Sequence, residues 1–514
     1  MSAAVSSSPS ERPVANGRPD MPVRAFFRWF GLAFAGLSLV TGAWAMTNAL
    51  GNAPDEGKQA MTAYTVAHGQ IGALHPTVPE IYAELSDPST LLCTHVSYNQ
   101  PADCQDWVTP KSMPDRTEFT QFGTYNPLYY AIVGVPSLVL PPHAALYAMR
   151  LMSLLLFSAL VAAAFALAAV AFRSRVGAAG ILLALPPIVL FLGSAINPNS
   201  IEIAASVLTW TGLTALLARD LPPRTTRLVT TVVTIGILFL VLNRLLSPLW
   251  FVIMVLTVAL TTRGWARLWR LVTRSRYFQV HVGVIAVAGV LAVAWTLVHP
   301  TVFVGGVQGH QPSTLLAFLG LTAQQVFFGF PQTVLPQSIA VLGWTDFAIT
   351  PVVPVFAALW AGLLSATVFG MRRRAERLGP LLVAFLWIVG LSALSSYEWG
   401  NVGWQGRYGI PLAVGVPILC VELLSARVLE IPGARDALRR AMRVSAIIVI
   451  VADAFALVSN YKRYAAGWGA SWDPSSWTAW QPPLGPFPWA VAALLGSVAL
   501  GVLAWRLTPR SFAR

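Results

Sequence analysis

Two adjacent carboxylates, Asp55 and Glu56, follow directly on the first long apolar stretch, in the run Asn52-Ala53-Pro54-Asp55-Glu56. At a membrane surface such a pair can act as a general base toward a hydroxyl, or offer oxygen ligands to a divalent cation. The same residues also suit a helix start. Asn52 can cap, Pro54 fits the first turn, the acids favour the positive end of the dipole, and Gly69 can end the helix. Both readings stand.

A second motif runs from Tyr397 to Tyr408 and contains Gln405-Gly406-Arg407-Tyr408. The planar fork of Arg407 suits two-pronged binding of a phosphate, with Gln405 and Tyr408 beside it. The alternative is an interfacial arginine that extends its head to water among belt aromatics. Arg150 lies near the start of another apolar stretch. An arginine at membrane depth requires a partner, here a carboxylate of the first polar loop or a phosphate. Asn197, Asn199 and Glu202 read as the start of a helix, and Asn243-Arg244 as a weaker phosphate candidate. The seven histidines show no metal-ligand spacing. There is no Gly-x-Ser-x-Gly nucleophile motif and no Gly-rich phosphate loop.

Of the three cysteines, Cys420 lies in an apolar run and reads as inert. Cys93 and Cys104 share one polar loop, and a disulfide between them follows if that loop faces an oxidising compartment.

The elements that must position these residues are membrane helices. The chain has 514 residues, 56% hydrophobic and 11% charged, against about 25% charged in a soluble domain. About 20 apolar residues cross a bilayer. Twelve spans are predicted, at 26–48, 145–171, 177–194, 200–218, 226–243, 246–262, 279–298, 351–370, 379–396, 408–424, 443–459 and 487–505. The reading is an all-α polytopic protein. A disordered tail covers 1–22, one membrane domain covers 23–506, and a short tail covers 507–514. Within the membrane domain, 49–144 forms a large first outer loop with nine acidic residues in its polar part, 49–126. Residues 127–141 are apolar but short and are predicted to lie at the interface, where tyrosines are favoured.

Arginine clusters at 173–175, 219–227, 263–276, 372–377 and 427–443 alternate with cation-poor loops, which places both termini in the cytoplasm. The net charge of +13 follows from these clusters and is not a nucleic-acid signal, since no solvent-facing basic stripe exists. The remaining outer pieces are 299–350, 397–407 and 460–486.

Pro54-Asp55-Glu56 with Tyr64 and Gly69, then Tyr125-Asn126-Pro127-Leu128-Tyr129-Tyr130, Arg150, Asn197-Pro198 and Gln405-Gly406-Arg407-Tyr408, occur in that order. Together they resemble a bacterial membrane family known only as domain of unknown function 2142, grouped with the GT-C glycosyltransferase superfamily. The resemblance covers roughly residues 26–460. It implies a GT-C-like fold in the bacterial plasma membrane and a sugar donor carried on a polyprenyl phosphate. The acceptor would be a cell-envelope glycan or lipid-linked molecule on the extracytoplasmic face, with membrane lipids as further partners. Asp55, with Glu56 beside it, becomes the base or metal-site candidate. Arg407 becomes the donor-phosphate candidate, with Arg150, Tyr408 and Gln405 assigned to the same task. Two departures bear on a divalent cation. Gln59 stands where the family pattern carries His, and Asn199 where it carries Asp, and both remove metal-binding groups.

The leading expectation is an inverting glycosyltransferase. A lipid-linked glycan flippase or other transporter is the main alternative, and a non-catalytic envelope-assembly protein the third. Ionisable residues in mid-span would favour transport. Few are found: Asp453 lies inside the eleventh span, and Glu422 near the inner end of the tenth.

Overall fold

The computed structural model describes residues 21–87, 94, 97–105, 115–300, 311–399, 405–428, 430–431 and 433–508. Of the expected tails, 1–22 and 507–514, residues 1–20 and 509–514 lie outside the described residues, as does Cys93, while Met21 and Pro22 open the first helix and Leu507 ends the last described one. The architecture is all-α and polytopic. Among the described residues, ten helices are long and apolar enough to cross a membrane. The count reaches twelve if each of two bent helix pairs is one span. The only strands among them form two short antiparallel pairs, Thr77–Pro79 with Asp115–Thr117 and Val341–Leu342 with Phe347–Ala348.

Every predicted span is helical, with three adjustments. The third is broken: Arg175–Leu183 and Pro187–Gly193 meet at 80°. Pro186 and Pro187 account for the break, since proline cannot donate to the preceding turn and clashes with it. The sixth, Ser247–Thr262, is followed by Trp265–Arg274 at 117°. The sequence reading treated 263–276 as a basic loop, but it holds an amphipathic helix. Trp265, Leu268, Trp269 and Val272 share one face and Arg267, Arg270 and Arg274 the other, at the spacing that defines such a stripe. The third adjustment falls in the expected outer piece 299–350. There the chain forms a helix, Leu315–Gln324, that continues as a π-turn segment Gln325–Val334 containing Pro331. Gln324, Gln325 and Pro331 interrupt the apolar run, so hydropathy alone does not reveal it.

The Leu128–Val133 helix has six residues and is too short to cross a bilayer. Tyr129 and Tyr130 are buried, while Val135, Leu138, Val139 and Leu140 are exposed. The tyrosines explain the docking: Tyr129 shares a hydrogen bond with Ser153, and Tyr130 donates to Gln59.

The core is a bundle in which the first helix, Met21–Thr47, packs against Pro142–Ala171 and the last helix, Pro486–Leu507. Pro198–Ala218 lies at the centre, almost every residue buried. Helix ends sort into two faces. On one, Arg267 pairs with Asp220, the Arg173 amide donates to Glu422, Arg175 lies over Trp29, and Arg443 donates to Thr508. The opposite face gathers residues 45–56, 195–202, 243–247, 337–347, 405–408 and 460–468.

Candidate functional site

The second face is organised around residues 51–56. Glu56 opens the helix Glu56–Ala67 and is fully buried. Its carboxylate accepts from Arg150 Nε (2.7 Å) and Nη2 (2.6 Å), and from the Gly51 and Ile196 amides at 3.0 and 3.2 Å. Arg150, two turns into its helix, is also fully buried. Its remaining donors go to the carbonyls of Ala45 and Asn48, both at 2.7 Å, and Ala49 at 3.0 Å. All five guanidinium hydrogens are thereby used. The pair ties the end of the first helix, the Asp55 turn and the Pro142–Ala171 helix together. The phosphate expectation for Arg150 meets a guanidinium with no donor left, and the catalytic expectation for Glu56 meets a carboxylate already committed.

Asp55 is arranged differently. It sits at the N-cap position of Glu56–Ala67 with φ +61°, yet its side chain makes no capping hydrogen bond. The backbone holds a left-handed conformation uncommon outside glycine, asparagine and aspartate, which turns the carboxylate away from its own helix. Its Oδ2 accepts from Arg407 Nη2 at 2.7 Å, and the Asp55 side chain is 27% exposed against 5% for Arg407. Asn52, the expected cap, does not cap this helix either: its Oδ1 accepts from Thr94 and its Nδ2 donates to the Leu50 carbonyl.

Close approach of chain segments fixes this geometry. A Cβ at Gly57 would stand 1.9 Å from the Leu85 carbonyl oxygen, and one at Gly406 would stand 2.3 Å from the Val334 carbonyl oxygen. Neither position admits a side chain. Asn197 Oδ1 caps its own helix through the Asn199 amide, as expected, while its Nδ2 donates to the Pro54 carbonyl at 2.8 Å. Trp344 donates to the Gly51 carbonyl, and Thr94 to Asn52 Oδ1. The Gly406 amide donates to Gln337, and Ser338 donates to the Gly406 carbonyl.

Arg407 follows at the start of the Gly406–Val428 span and is buried. Its Nη2 also lies 3.3 Å from the Tyr408 hydroxyl. Its Nε and Nη1 are buried with no hydrogen-bond partner among the described residues, as is Gln405 Oε1. Sequence reasoning underrated Arg244. Its guanidinium lies 5.1 Å from the Tyr408 ring centre, Arg407 lies 5.2 Å from the same ring, and Tyr125 flanks Arg244 at 5.9 Å. Arg244 pairs with Glu202 at 3.4 Å, and Ser247 holds the other Glu202 oxygen at 2.6 Å. Burial raises the Tyr125 phenol, so it stays protonated beside Arg244. Two guanidiniums thus face two carboxylates, and the Arg407 fork retains unused donors. An arginine in the short turn between two spans, on a cation-poor side, is the available signal for Arg244.

A divalent cation does not fit these donors. The neighbour of Asp55 is a guanidinium, Glu56 is committed to Arg150, Gln59 accepts from the Tyr130 hydroxyl, and the Asn199 side chain donates to the Glu202 carboxylate. No three His, Cys, Asp or Glu side chains converge among the described residues. Cys104 is disulfide-bonded and Cys420 is free and buried.

Further along this face, Arg463 is fully buried and donates to the carbonyls of Gln100 (2.7 Å) and Thr94 (2.5 Å). It lies 3.9 Å from Asp346. Burial pushes the Asp346 carboxyl above its ordinary range, with nearby amides and Arg463 opposing.

A family model described as predicted membrane protein (DUF2142) matches residues 37–416. Among solved structures the chain is similar to ArnT from Cupriavidus metallidurans bound to undecaprenyl phosphate. The identity is 13% and the TM-score 0.44, over 96% of this chain and 78% of that one. No curated protein matches.

Proposed function

The chain belongs to the DUF2142 family of predicted membrane proteins, and from that premise we propose that it is a GT-C type glycosyltransferase of the bacterial plasma membrane. Both termini lie in the cytoplasm, and the Asp55 face is extracytoplasmic. The donor is a sugar on a polyprenyl phosphate, and the acceptor is an envelope glycan or lipid-linked hydroxyl compound. The observation that carries this reading is the juxtaposition of Asp55, partly exposed, with Arg407, buried and with two N–H-bearing nitrogens unpartnered among the described residues.

Asp55 takes the proton of the acceptor hydroxyl as its oxygen bonds to the anomeric carbon. The bond from that carbon to the phosphate oxygen breaks, and its electron pair stays on the phosphate. Arg407 donates to the oxygen on which that charge develops, with Tyr408 and Gln405 beside it. A phosphate is a stable leaving group, so no strong acid is needed. Glu56 and Arg150 act as positioning residues, since their mutual hydrogen bonds fix the turn that presents Asp55.

Glycan analysis of the cell envelope in a deletion strain, complemented with wild type or Asp55→Asn, tests the reading. The glycan should be lost on deletion, restored by wild type and not by the variant. A second reading, transport of a lipid-linked glycan, is favoured by Asp453, whose Oδ1 is buried without a partner inside the Ala434–Ala466 helix. Under that reading Asp453→Asn, rather than Asp55→Asn, would abolish the phenotype.

A further inference from the structure

Arg407 is under-used where it stands. Among the described residues only Nη2 has partners, the Asp55 carboxylate at 2.7 Å and the Tyr408 hydroxyl at 3.3 Å, while Nε and Nη1 are buried with none. Buried donors left unmade are costly, more so on a charged group. The one-pronged contact with Asp55 therefore leaves unsatisfied a fork suited to an oxyanion that offers several oxygens. Arg244 reaches the same Tyr408 ring and is itself 19% exposed at its side chain. Its own partner Glu202 lies at 3.4 Å, a long contact for an ion pair. Asp55, for its part, reaches Arg407 from a left-handed backbone conformation and makes no cap on its helix.

We propose that Asp55 sits in an oxyanion seat formed by Arg407 and Arg244 around Tyr408, and that an arriving phosphate displaces its carboxylate from Arg407. The inference rests on the donor-phosphate reading of Arg407 and adds the regulation of that site. In the unloaded protein the base is neutralised by the residue that will bind the donor. A phosphate takes over the Arg407 fork, and repulsion between like charges drives the Asp55 carboxylate off. The base is released only when the donor is in place. An ordered sequence follows, with donor first and acceptor second.

The consequence is opposite to that of an ordinary binding-site carboxylate: removing Asp55 should tighten phosphate binding. The full-length protein in nanodiscs of neutral lipid is titrated with a polyprenyl monophosphate, and separately with inorganic phosphate. The variants are Asp55→Asn, Asp55→Gly, Arg407→Ala, Arg244→Gln and Asp55→Asn with Arg407→Ala. Asparagine and glycine both tolerate the left-handed conformation at position 55, so two independent variants report on the missing carboxylate.

Asp55→Asn and Asp55→Gly should each bind the lipid phosphate about ten- to a hundred-fold more tightly than wild type, the size of one competing charge-assisted contact. Arg407→Ala should bind roughly tenfold or more weakly, and Arg244→Gln more weakly than wild type. In the Arg407→Ala background the Asp55→Asn change should lose its effect, because the competition runs through Arg407. The same order with inorganic phosphate assigns the seat to any phosphate. The order in the lipid arm alone assigns it to a headgroup delivered by the membrane. Either supports the exchange. Unchanged or weakened binding in both Asp55 variants, with Arg407→Ala still impaired, overturns the exchange and leaves the phosphate role of Arg407 intact. Equal binding by wild type, Arg407→Ala and Arg244→Gln removes the phosphate role itself, and the exchange with it.

Discussion

Adjacent residues of like charge divide their labour here. Glu56 is sealed with Arg150 in a fully dry pair, whereas Asp55 faces Arg407 with its side chain partly open. Their conservative variants should therefore fail in different ways. Asp55→Asn should express and insert normally and lose about a hundred- to ten-thousand-fold in transfer, the usual contribution of a positioned base. In-membrane transfer assays beside a detergent-extraction melting curve read both properties; transfer near the wild-type rate would dismiss Asp55 as the base. Glu56→Gln should instead lower stability by about 3–5 kcal/mol, the cost of leaving one buried charge unpaired. A melting curve superimposable on wild type would contradict that. Arg407→Lys keeps the charge and loses the fork, a change of about 1.5–3 kcal/mol or roughly ten- to a hundred-fold in donor use. Donor use unchanged in the Lys and Ala variants alike would leave Arg407 an interfacial anchor. Asp55, Glu56, Arg150 and Arg407 were all legible in the sequence as polar residues at apolar boundaries. That Arg150 meets a carboxylate of the first loop was one of its two expected partnerships, and Glu56 is that carboxylate; that Asp55 meets Arg407 was not legible, because 352 positions separate them and no local periodicity encodes that distance.

Among the elements, hydropathy located the long helices well because a bilayer demands satisfied backbone groups over a fixed thickness. It failed where helices do not span. The Trp265–Arg274 helix reads as a basic loop when only charge is counted, although its apolar residues recur at helical spacing. Trp265 and Trp269 are exposed on one side, and Arg267 is held by Asp220 and the Leu217 carbonyl. Such a helix lies in the interface with its aromatics toward the lipid. A fluorescent label on a cysteine at position 269, in a Cys420→Ala background, should report an apolar environment and be quenched by lipid-borne quenchers. The same label at position 270 should not. Equal quenching at both positions would mean that the helix does not lie on the bilayer. In the first outer loop, Cys104 is disulfide-bonded, and peptide mapping without reductant should recover it joined to Cys93. Recovery of both as alkylated thiols from an oxidised envelope would remove that staple.

For the molecule as a whole, arginine bias and contacts agree on two faces, and the proposed orientation follows from the bias. A phosphatase fused at residue 375 should be inactive and a fluorescent protein there bright, with the reverse for fusions in the 49–126 loop. An active phosphatase at 375 would invert the orientation. Early and late parts of the chain meet on the Asp55 face. Arg463 holds the first outer loop through Thr94 and Gln100, and Thr94 in turn donates to Asn52. Arg463→Met should expose the loop to added protease while the spans stay inserted.

That closure also sets a schedule for biosynthesis. Glu56 waits for a partner 94 residues downstream, which a ribosome adding about 5–20 residues per second delivers in roughly 5–20 s. Asp55 waits 352 residues for Arg407, or roughly 20–70 s at the same pace. The buried clamp can thus form while most of the chain is still unmade, and the reactive carboxylate gains its counter-charge only after most of the helices have left the translocon. A newborn chain holds its scaffold before it holds its chemistry, and a chain broken off before residue 407 keeps the first without ever acquiring the second.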